Sequence, residues 1–269
     1  LPRVVAADLE AQIAANHHAA ALLRALGPAD VTAAWMAHLQ DAAAEAVAER
    51  LPAIHPATAT DTVDGVPLRV AVHVDHGTLV VDLAGTGGPH PGNLNTPRAV
   101  VRAAVLYGLR LLVDRDIPLN DGALRAVRLH LPSPSLVDPP PGAAVAGGNV
   151  ETSQRLVDAV LQALGRMAPS GGTMSNLTIG GDGWSHYETL GCGQGASPAG
   201  PGPSARQVHM TNTRATDPEV LERRQPLRVR RFALRHHSGQ PGDHPGGDGL
   251  IRELELLAPG QASLLAAWR

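Results

Sequence analysis

The sequence has few aromatic side chains, a single cysteine and no lysine. Phe, Trp and Tyr make up 2% of the 269 residues, so the core must be filled mainly by Ala, Val and Leu. Because Cys192 is the only cysteine, an intrachain disulfide and a thiolate zinc cage are both excluded. The 22 basic residues are all Arg, and a formal net charge of −3 provides no global field that would gather nucleic acid or anionic lipid.

The sequence also lacks a long uninterrupted apolar run. The most apolar segment, residues 99–113, contains Arg102, Gly108 and Arg110 and is shorter than the roughly 20 residues that span a bilayer. It predicts a buried helix, and no membrane partner is expected. The amino terminus does not show the basic, apolar and small-residue order of a signal peptide, so we expect a cytoplasmic protein.

Two helices are predicted at the amino terminus. Asp8 is positioned to cap the first, which Gly27 and Pro28 would stop, and Asp30 is positioned to cap the second, which ends before Pro52. Apolar residues recur at helical spacing in both, which predicts an antiparallel pair that serves packing or an interface. The stripes are Leu9, Ile13, Ala20 and Leu23 in the first helix, and Trp35, Leu39, Ala42 and Ala46 in the second.

A β-hairpin is predicted next, because apolar residues alternate over residues 66–72 and a second strand-like run follows a His76-Gly77 turn at residues 78–83. Thr96 then caps the buried helix with Pro97 at its first position, and the helix ends near Val113. The sequence PGNLNTP before it predicts an ordered loop. A short strand is predicted at residues 127–131.

The proline-rich stretch at residues 132–141 marks a predicted boundary between two lobes, residues 1–140 and residues 141–269. The second lobe opens with a glycine-rich turn and a helix over residues 150–167 and is otherwise β-rich, so the predicted fold class is α+β. In residues 227–234 the apolar parity changes between Val229 and Phe232, which predicts a β-bulge or a change of face. The other predicted elements are strands at residues 176–179, 185–190, 250–257 and 262–267, and a short helix at residues 218–225.

The run from residue 147 to residue 191, GGNVETSQRLVDAVLQALGRMAPSGGTMSNLTIGGDGWSHYETLG, concentrates glycine and polar groups around one predicted helix. Gly147, Gly148 and Asn149 come just before that helix, where backbone N–H groups and the helix dipole favour an anion or a developing oxyanion. The same residues also suit a simple capped turn, with Glu151 in the first turn of the helix. Glu151 itself disfavours a phosphate at this end.

Further polar candidates follow the helix. Thr173, Asn176 and Thr178 can orient an amide or a carbonyl by hydrogen bonds, although threonine is also common in strands through propensity alone. Glu188 suits either a base or a structural partner of an arginine. Cys192 suits a small filler more than a nucleophile.

Histidines and arginines cluster toward the carboxyl end. His236 and His237 are adjacent, so in a strand they point to opposite faces, and the cluster predicts a turn rather than a metal site. His209 suits a satisfied core position. The arginines between Arg214 and Arg235 are interleaved with acidic residues, which favours ion pairs or an acidic protein partner. The His-rich cluster also contains Asp243, His244 and Asp248.

Several separated motifs resemble the hydantoinase B/5-oxoprolinase family, and in the right order they are far more specific than one glycine string. Three lie in the polar run: GNVETSQ at residues 148–154, GTMSNLT at residues 172–178 and YET at residues 187–189. The others are PGNLNTPRA at residues 91–99, DIPLNDG at residues 116–122, HMTNTRATDPEVLE at residues 209–222 and SGQPGDHPGGDGLIRE at residues 238–253.

The resemblance implies a function within a complex. It implies a hydantoinase A-type partner subunit that binds ATP and Mg²⁺, and ATP-dependent hydrolytic ring opening of a cyclic amide such as 5-oxoproline, a hydantoin or a lactam. Related assemblies imply two alternatives, a subunit of an ATP-dependent ketone carboxylase of the acetone or acetophenone type, and a non-catalytic assembly module.

The resemblance also covers only the carboxyl-terminal portion of a B-type subunit. The amino-terminal half of that subunit, with the His/Asp motifs that resemble a divalent metal site, has no counterpart here, so we expect a separate amino-terminal B-type fragment and no metal or other cofactor on this chain. A split subunit, a fragment and a degenerate paralogue remain open. The residues carried over as catalytic are Glu151, Thr173 and Glu188, and those carried over as substrate-binding are Asn149, Thr152, Gln154 and Asn176.

Overall fold

The computed structural model describes residues 3–113, 115–118 and 120–267 and confirms the predicted α+β class. Within these residues, amino-terminal helices are followed by a strand-rich region. The helices are α1 Arg3–Ala25, α2 Ala29–Ala48, α3 Arg98–Val113, α4 Thr152–Ala163 and α5 Pro218–Arg224. The strands are β1 Ala57–Val63, β2 Val66–Asp75, β3 Thr78–Asp82, β4 Val127–His130, β5 Asn176–Gly181, β6 Trp184–Thr189, β7 Leu227–Arg235, β8 Gly249–Leu256 and β9 Gln261–Leu265. None of the helices in the described ranges combines the length and apolarity that crossing a bilayer requires.

The two amino-terminal helices are present, but their apolar stripes are not buried against each other. α1 begins before Asp8, so the predicted start was wrong, whereas the predicted stop is confirmed by Gly27, whose φ is +127°. Ile13 is 58% exposed and Trp35 is 63% exposed. Only the carboxyl-terminal part of α2, which includes Ala46, reaches the core, so an antiparallel pair sealed along its length does not form.

The first sheet has the strand order β1-β2-β3-β4. The predicted hairpin is confirmed, because β2 and β3 pair antiparallel around the His76-Gly77 turn. β4 pairs parallel with β3, and α3 lies in the connection between them. β1 was not predicted, because its sequence, ATATDTV, has few large apolar residues, although the Asp64-Gly65 turn that joins it to β2 is a hairpin signal.

A single large core joins the first sheet to α3 and α4. Leu68 of β2, Leu109 of α3 and Leu156 of α4 are fully buried in the same cluster of side chains. α3 and α4 pack against each other, and α4 also packs on β1 and β2. The core therefore continues across residue 140, and the division into lobes at that point stays a prediction.

α4 is shorter than predicted and ends in a Schellman motif. Gly165 has a φ of +65°, and its N–H bonds to the Gln162 carbonyl while the Arg166 N–H bonds to the Leu161 carbonyl. Met167, predicted as the last helical residue, lies beyond this stop. All of α4 except Gln162 is buried, which is unusual for a helix with so many polar residues.

Two smaller sheets complete the carboxyl-terminal part. β5 lies between β6 and β9, and both neighbours pair antiparallel with it. β7 and β8 form a two-stranded antiparallel ribbon whose register shifts between Val229 and Arg231, so the predicted irregularity in this strand is confirmed.

Candidate functional site

The glycine-rich turn before α4 is pressed against the PGNLNTP loop. A Cβ on Gly148 would lie 2.0 Å from the Asn95 carbonyl oxygen, so only glycine fits there. The Gly147 N–H donates to the Asn93 carbonyl at 2.9 Å, and Thr152 Oγ1 donates to the Leu94 carbonyl at 2.5 Å. The loop is therefore ordered as predicted, and Thr152 binds protein backbone.

Asn149 is the exposed member of the predicted residues. It ends the 3-10 turn Ala146–Asn149, and its carbonyl accepts a hydrogen bond from Ser153 Oγ at 2.5 Å. Its side-chain amide has no hydrogen-bond partner within the described residues, which leaves it available to a ligand or a partner chain.

Glu151 and Thr173 form a buried pair. Thr173 Oγ1 donates to Glu151 Oε1 at 2.7 Å, and the Ala267 N–H donates to Glu151 Oε2 at 3.1 Å. Glu151 is 1% exposed, and this burial raises the pKa of its carboxyl above the ordinary value of 4.5, against the two hydrogen bonds and the charge of Arg155. Both carboxyl oxygens are engaged, so the pair fixes the chain segment at Ala267.

Arg155 extends this cluster one helical turn further along α4. Its Nη1 lies 3.1 Å from Asp61 Oδ1 on β1, and its Nη2 donates to the Ala267 carbonyl. Both side chains of this ion pair are largely buried. Asn176 holds the same carboxyl-terminal segment from the other side, with Nδ2 3.4 Å from the Leu265 carbonyl and Oδ1 accepting from the Tyr187 hydroxyl at 2.7 Å.

A second polar face of α4 holds Val208 and the first residues of the HMTNTR motif. Gln154 Nε2 donates to Thr211 Oγ1 at 2.5 Å and to the Val208 carbonyl at 3.3 Å. One turn further on, Asp158 Oδ1 accepts from the Ser170 N–H at 2.8 Å and lies 2.6 Å from His209 Nε2. The His209 side chain is 1% exposed, so the prediction of a satisfied core histidine is confirmed.

Glu188 lies in a different cluster, between β6 and β8. Arg252 binds it in a bidentate pair, with Nε at 3.1 Å from Oε1 and Nη2 at 3.2 Å from Oε2. Arg252 also stacks on Phe232, with Cζ 4.6 Å from the ring centroid, and donates to the Thr216 carbonyl. Both ionised side chains are 1% exposed. The sequence suited Glu188 either as a base or as a structural partner of an arginine, and the structure shows the arginine partner.

A cleft of about 490 Å³ opens beside residues 206–215. Tyr107 of α3 forms part of its wall and makes an edge contact with the His209 ring, with centroids 5.9 Å apart. Burial, and secondarily the charge of Asp158, raise the pKa of the Tyr107 phenol. The lining residues are Tyr107, Gln194, Arg206, Gln207, Val208, His209, Thr213, Arg214 and Ala215.

The histidine cluster and the β7 arginines lie outside these groups, whereas Arg214 lines the cleft. Residues 236–239 form the predicted turn, in which Asp248 Oδ1 accepts the N–H groups of Ser238 and Gly239. In the described ranges, no group of three or more His, Cys, Asp or Glu side chains is placed to hold a metal ion. The β7 arginines pair with acidic residues of β8, Arg230 with Glu255 at 2.7 Å and Arg231 with Glu253 at 3.7 Å, which confirms the ion-pair interpretation for this strand. An acidic protein partner for the rest of the stretch stays a prediction.

The structure therefore brings together part of the predicted set. Glu151 and Thr173 touch directly, Gln154 lies on a neighbouring face of α4, and Glu188 belongs to a separate ion pair. Asp158 and Arg155 were missed, although each lies four residues after a motif residue and so on the same helical face. The cleft itself was not predicted, although His209, Thr213 and Arg214 lie in the HMTNTRATDPEVLE motif, because no periodic pattern shows that these residues share a concave surface.

Comparisons with known proteins give a consistent result. Residues 1–269 match the family model described as Hydantoinase B/oxoprolinase. The chain is 43% identical over 285 residues to 5-oxoprolinase 1 of Arabidopsis thaliana, an alignment that covers 97% of this chain and 22% of the plant protein. The chain therefore spans less than a quarter of that relative.

Two solved structures share the fold. The ATP-dependent caprolactamase from Pseudomonas jessenii superposes with a TM-score of 0.79 at 24% identity, covering 93% of this chain and 48% of the other. Acetone carboxylase in its nucleotide-free structure superposes with a TM-score of 0.71 at 16% identity, covering 84% of this chain and 35% of the other.

Proposed function

The chain belongs to the hydantoinase B/oxoprolinase family, and we propose that it forms part of a B-type subunit that contributes to ATP-dependent hydrolytic ring opening of a cyclic amide. In this proposal a hydantoinase A-type subunit binds ATP and Mg²⁺, and the complex acts in the cytoplasm. The substrate class follows from two relatives, a 5-oxoprolinase and a caprolactamase, because 5-oxoproline and caprolactam are both cyclic amides.

The observation that carries the proposal is the convergence of three motif segments and the loop at Ser170 on α4 and its N-cap residue Glu151. Buried hydrogen bonds from Thr152, Glu151, Gln154 and Asp158 reach the PGNLNTP loop, the GTMSNLT segment, the HMTNTR segment and the loop at Ser170. Thr152, Glu151 and Gln154 bind three different motif segments, and Asp158 binds both the Ser170 loop and His209. Such a network specifies one arrangement of these loops, as a pre-organised site requires.

Hydrolysis of a cyclic amide requires hydrogen-bond donors positioned at the ring carbonyl. Amide resonance makes a ring carbonyl a poor electrophile, and ATP bound on the partner subunit supplies the phosphoryl group that turns the carbonyl oxygen into a leaving group. On this chain, we propose that the exposed Asn149 amide donates to an amide or carbonyl oxygen of the substrate, because its side chain makes no hydrogen bond within the described residues. We assign Thr152, Glu151, Thr173 and Gln154 to positioning, because their polar atoms bind other parts of the chain.

The described residues of this chain do not fit a catalytic metal, since no three ligating side chains among them converge. No step is assigned to a metal here. We propose that a divalent ion, if the complex uses one beyond Mg²⁺ with ATP, belongs to the separate amino-terminal B-type fragment.

The proposal is tested by capturing the tagged full chain from its host after a salt wash, identifying co-purifying subunits by mass spectrometry, and measuring ADP release by the recovered complex. We expect an A-type subunit and ADP release with 5-oxoproline, a hydantoin or a lactam. No ADP release with any of these cyclic amides would refute the hydrolase, and bicarbonate-dependent turnover with a ketone would establish the carboxylase instead.

Asn149→Ala is the matched probe of catalysis. Asn149 is exposed and its side chain bonds to nothing in the described part of the chain, so its loss should lower turnover without lowering stability. Asn16→Ala, another exposed asparagine on α1, is the control and should leave turnover unchanged. Equal turnover for both variants would argue that Asn149 has no role.

A second function, assembly without catalysis, is favoured by one observation. α1 and the first half of α2 expose Ile13, Leu23 and Trp35, side chains that a partner would bury. In that case the chain would be required for the complex to form, yet Asn149→Ala would retain full turnover.

A further inference from the structure

The cleft beside residues 206–215 contains two arginines whose guanidinium groups have no acidic partner. Arg206 and Arg214 both line it, both are exposed, and neither side chain makes a hydrogen bond or an ion pair within the described residues. Most other arginines are paired, as Arg98 is with Asp138 at 2.8 Å. Two unpaired guanidinium groups in one concave surface are a feature that an anion would satisfy.

The segment that carries these arginines is anchored at several points. Arg206 exchanges two backbone hydrogen bonds with Cys192, at 2.8 and 2.9 Å. The Gln154 amide on α4 donates to the Val208 carbonyl and to Thr211 Oγ1. Thr213 Oγ1 bonds to Thr189 Oγ1. Both arginines therefore project from fixed backbone, which lowers the entropy lost when a ligand binds.

The rest of the lining suits a small organic anion. In the described part of the chain, none of the residues that line the cleft is Asp or Glu. Asp158 lies beneath His209, with its side chain fully buried and bonded to the imidazole and to the Ser170 N–H. Tyr107 keeps its phenolic proton and so adds no negative charge. Val208 and Ala215 supply apolar surface beside the two guanidinium groups.

We propose that this cleft binds the carboxylate of a carboxylate-bearing cyclic amide, with Arg206 and Arg214 as the carboxylate ligands and the ring against Val208 and Ala215. This inference rests on the proposed function for the identity of the ring. It narrows the substrate class, because a neutral lactam has no group for the two guanidinium ions. The two arginines are thus specificity-determining residues of the site.

The test compares two probes that differ only in the carboxylate, L-5-oxoproline and 2-pyrrolidinone, titrated into the isotope-labelled full chain by NMR. We expect L-5-oxoproline to shift the amide resonances of residues 206–215 and 2-pyrrolidinone to bind at least about tenfold more weakly, since a hydrogen bond to a charged group contributes about that factor or more. Inorganic phosphate is the third probe. Tighter binding of phosphate at the same amides would overturn the assignment to a carboxylate.

Substitutions at the two arginines test the ligands directly. Arg206→Ala and Arg214→Ala should each weaken the binding of L-5-oxoproline by about tenfold or more, and the affinity for 2-pyrrolidinone should not change. Arg223→Ala and Arg224→Ala remove an exposed pair on α5 that also has no acidic partner within the described residues, and they should change neither affinity. Equal binding of the two ring probes, unchanged binding in the cleft variants, or no shift in a chain shown by circular dichroism to be folded would each overturn the inference.

Binding is measured without turnover, so the two proposals fail separately. If the chain selects the carboxylate through Arg206 and Arg214 but supports no ADP release, the anion site is supported and the hydrolase function is refuted. A reconstituted complex that opens cyclic amides with no preference for a carboxylate, and whose rates are unchanged by Arg206→Ala, would keep the hydrolase and lose the anion site.

Discussion

The buried pair between Glu188 and Arg252 makes the sharpest prediction about stability. Each side chain is 1% exposed, and each is the main partner of the other. Removing one partner leaves an uncompensated buried charge, so Glu188→Leu should lower the free energy of unfolding by about 3–5 kcal/mol. For a chain of this size that corresponds to a decrease in Tm of roughly 10 °C.

Glu188→Leu and Arg252→Met should lower the free energy of unfolding by different amounts. After Glu188→Leu, Arg252 retains only the Thr216 carbonyl and the Phe232 ring, and its Nη1 is already without a hydrogen-bond partner within the described residues. After Arg252→Met, Glu188 still lies beside the His186 ring, whose Nε2 is 3.4 Å from Oε2 and has no hydrogen-bond partner within the described residues, so it is free to bind the carboxylate. We therefore expect Arg252→Met to be the milder change.

The double variant closes a thermodynamic cycle that urea unfolding can measure. Glu188→Leu with Arg252→Met removes both charges, so it should cost less than the sum of the single changes, by about 2 kcal/mol or more. Additive costs would refute the reasoning, because they would mean that the carboxylate and the guanidinium do not stabilise each other. Asp121→Ala at the exposed Arg102–Asp121 pair is the control and should cost less than about 1 kcal/mol.

Three further changes test the surroundings of α4. Burial raises the pKa of Glu151, so its contribution to stability is present below pH 4.5 and is lost as the pH rises through the raised pKa. Glu151→Gln does not titrate, so in urea unfolding it should become more stable relative to the parent as the pH rises from 4.5 to about 7.5. Gln154→Leu should cost about 1–3 kcal/mol and speed amide hydrogen exchange at residues 208–211, and unchanged exchange there would contradict the anchoring role. Gly165→Ala should cost about 1 kcal/mol by thermal unfolding, from its φ of +65° alone, because the space around it is open.

Local features of the fold were predictable because their causes are local. The change of apolar parity between Val229 and Phe232 predicted the irregularity of β7, and the His76-Gly77 turn predicted the β2–β3 hairpin. β1 was missed because alternation of Ala and Thr gives a weak hydrophobic signal. The exposure of Trp35 was also not predictable, since a helical stripe shows which residues share a face and not what covers it.

In the candidate site, contacts between residues that are distant in sequence could not be predicted. The motif run identified α4 and its glycine turn, because the residues are neighbours in sequence. The partners of those residues are not neighbours: Glu151 meets Ala267, and Glu188 meets Arg252, 64 positions later. Hydrogen-bond partners at such separation are set by the packing of the whole chain, and no periodicity in the sequence indicates them.

The position of β9 has a consequence for synthesis on the ribosome. β5 is the central strand of its sheet, yet one of its two neighbours, β9, is translated about 80 residues later, on the order of ten seconds at ordinary elongation rates. During that interval one edge of β5 is open, and Glu151 and Asn176 lack the backbone groups at Ala267 and Leu265 that they later bind. The nascent chain can form its first sheet early, whereas the environment of its motif helix is completed only when β9 and Ala267 emerge.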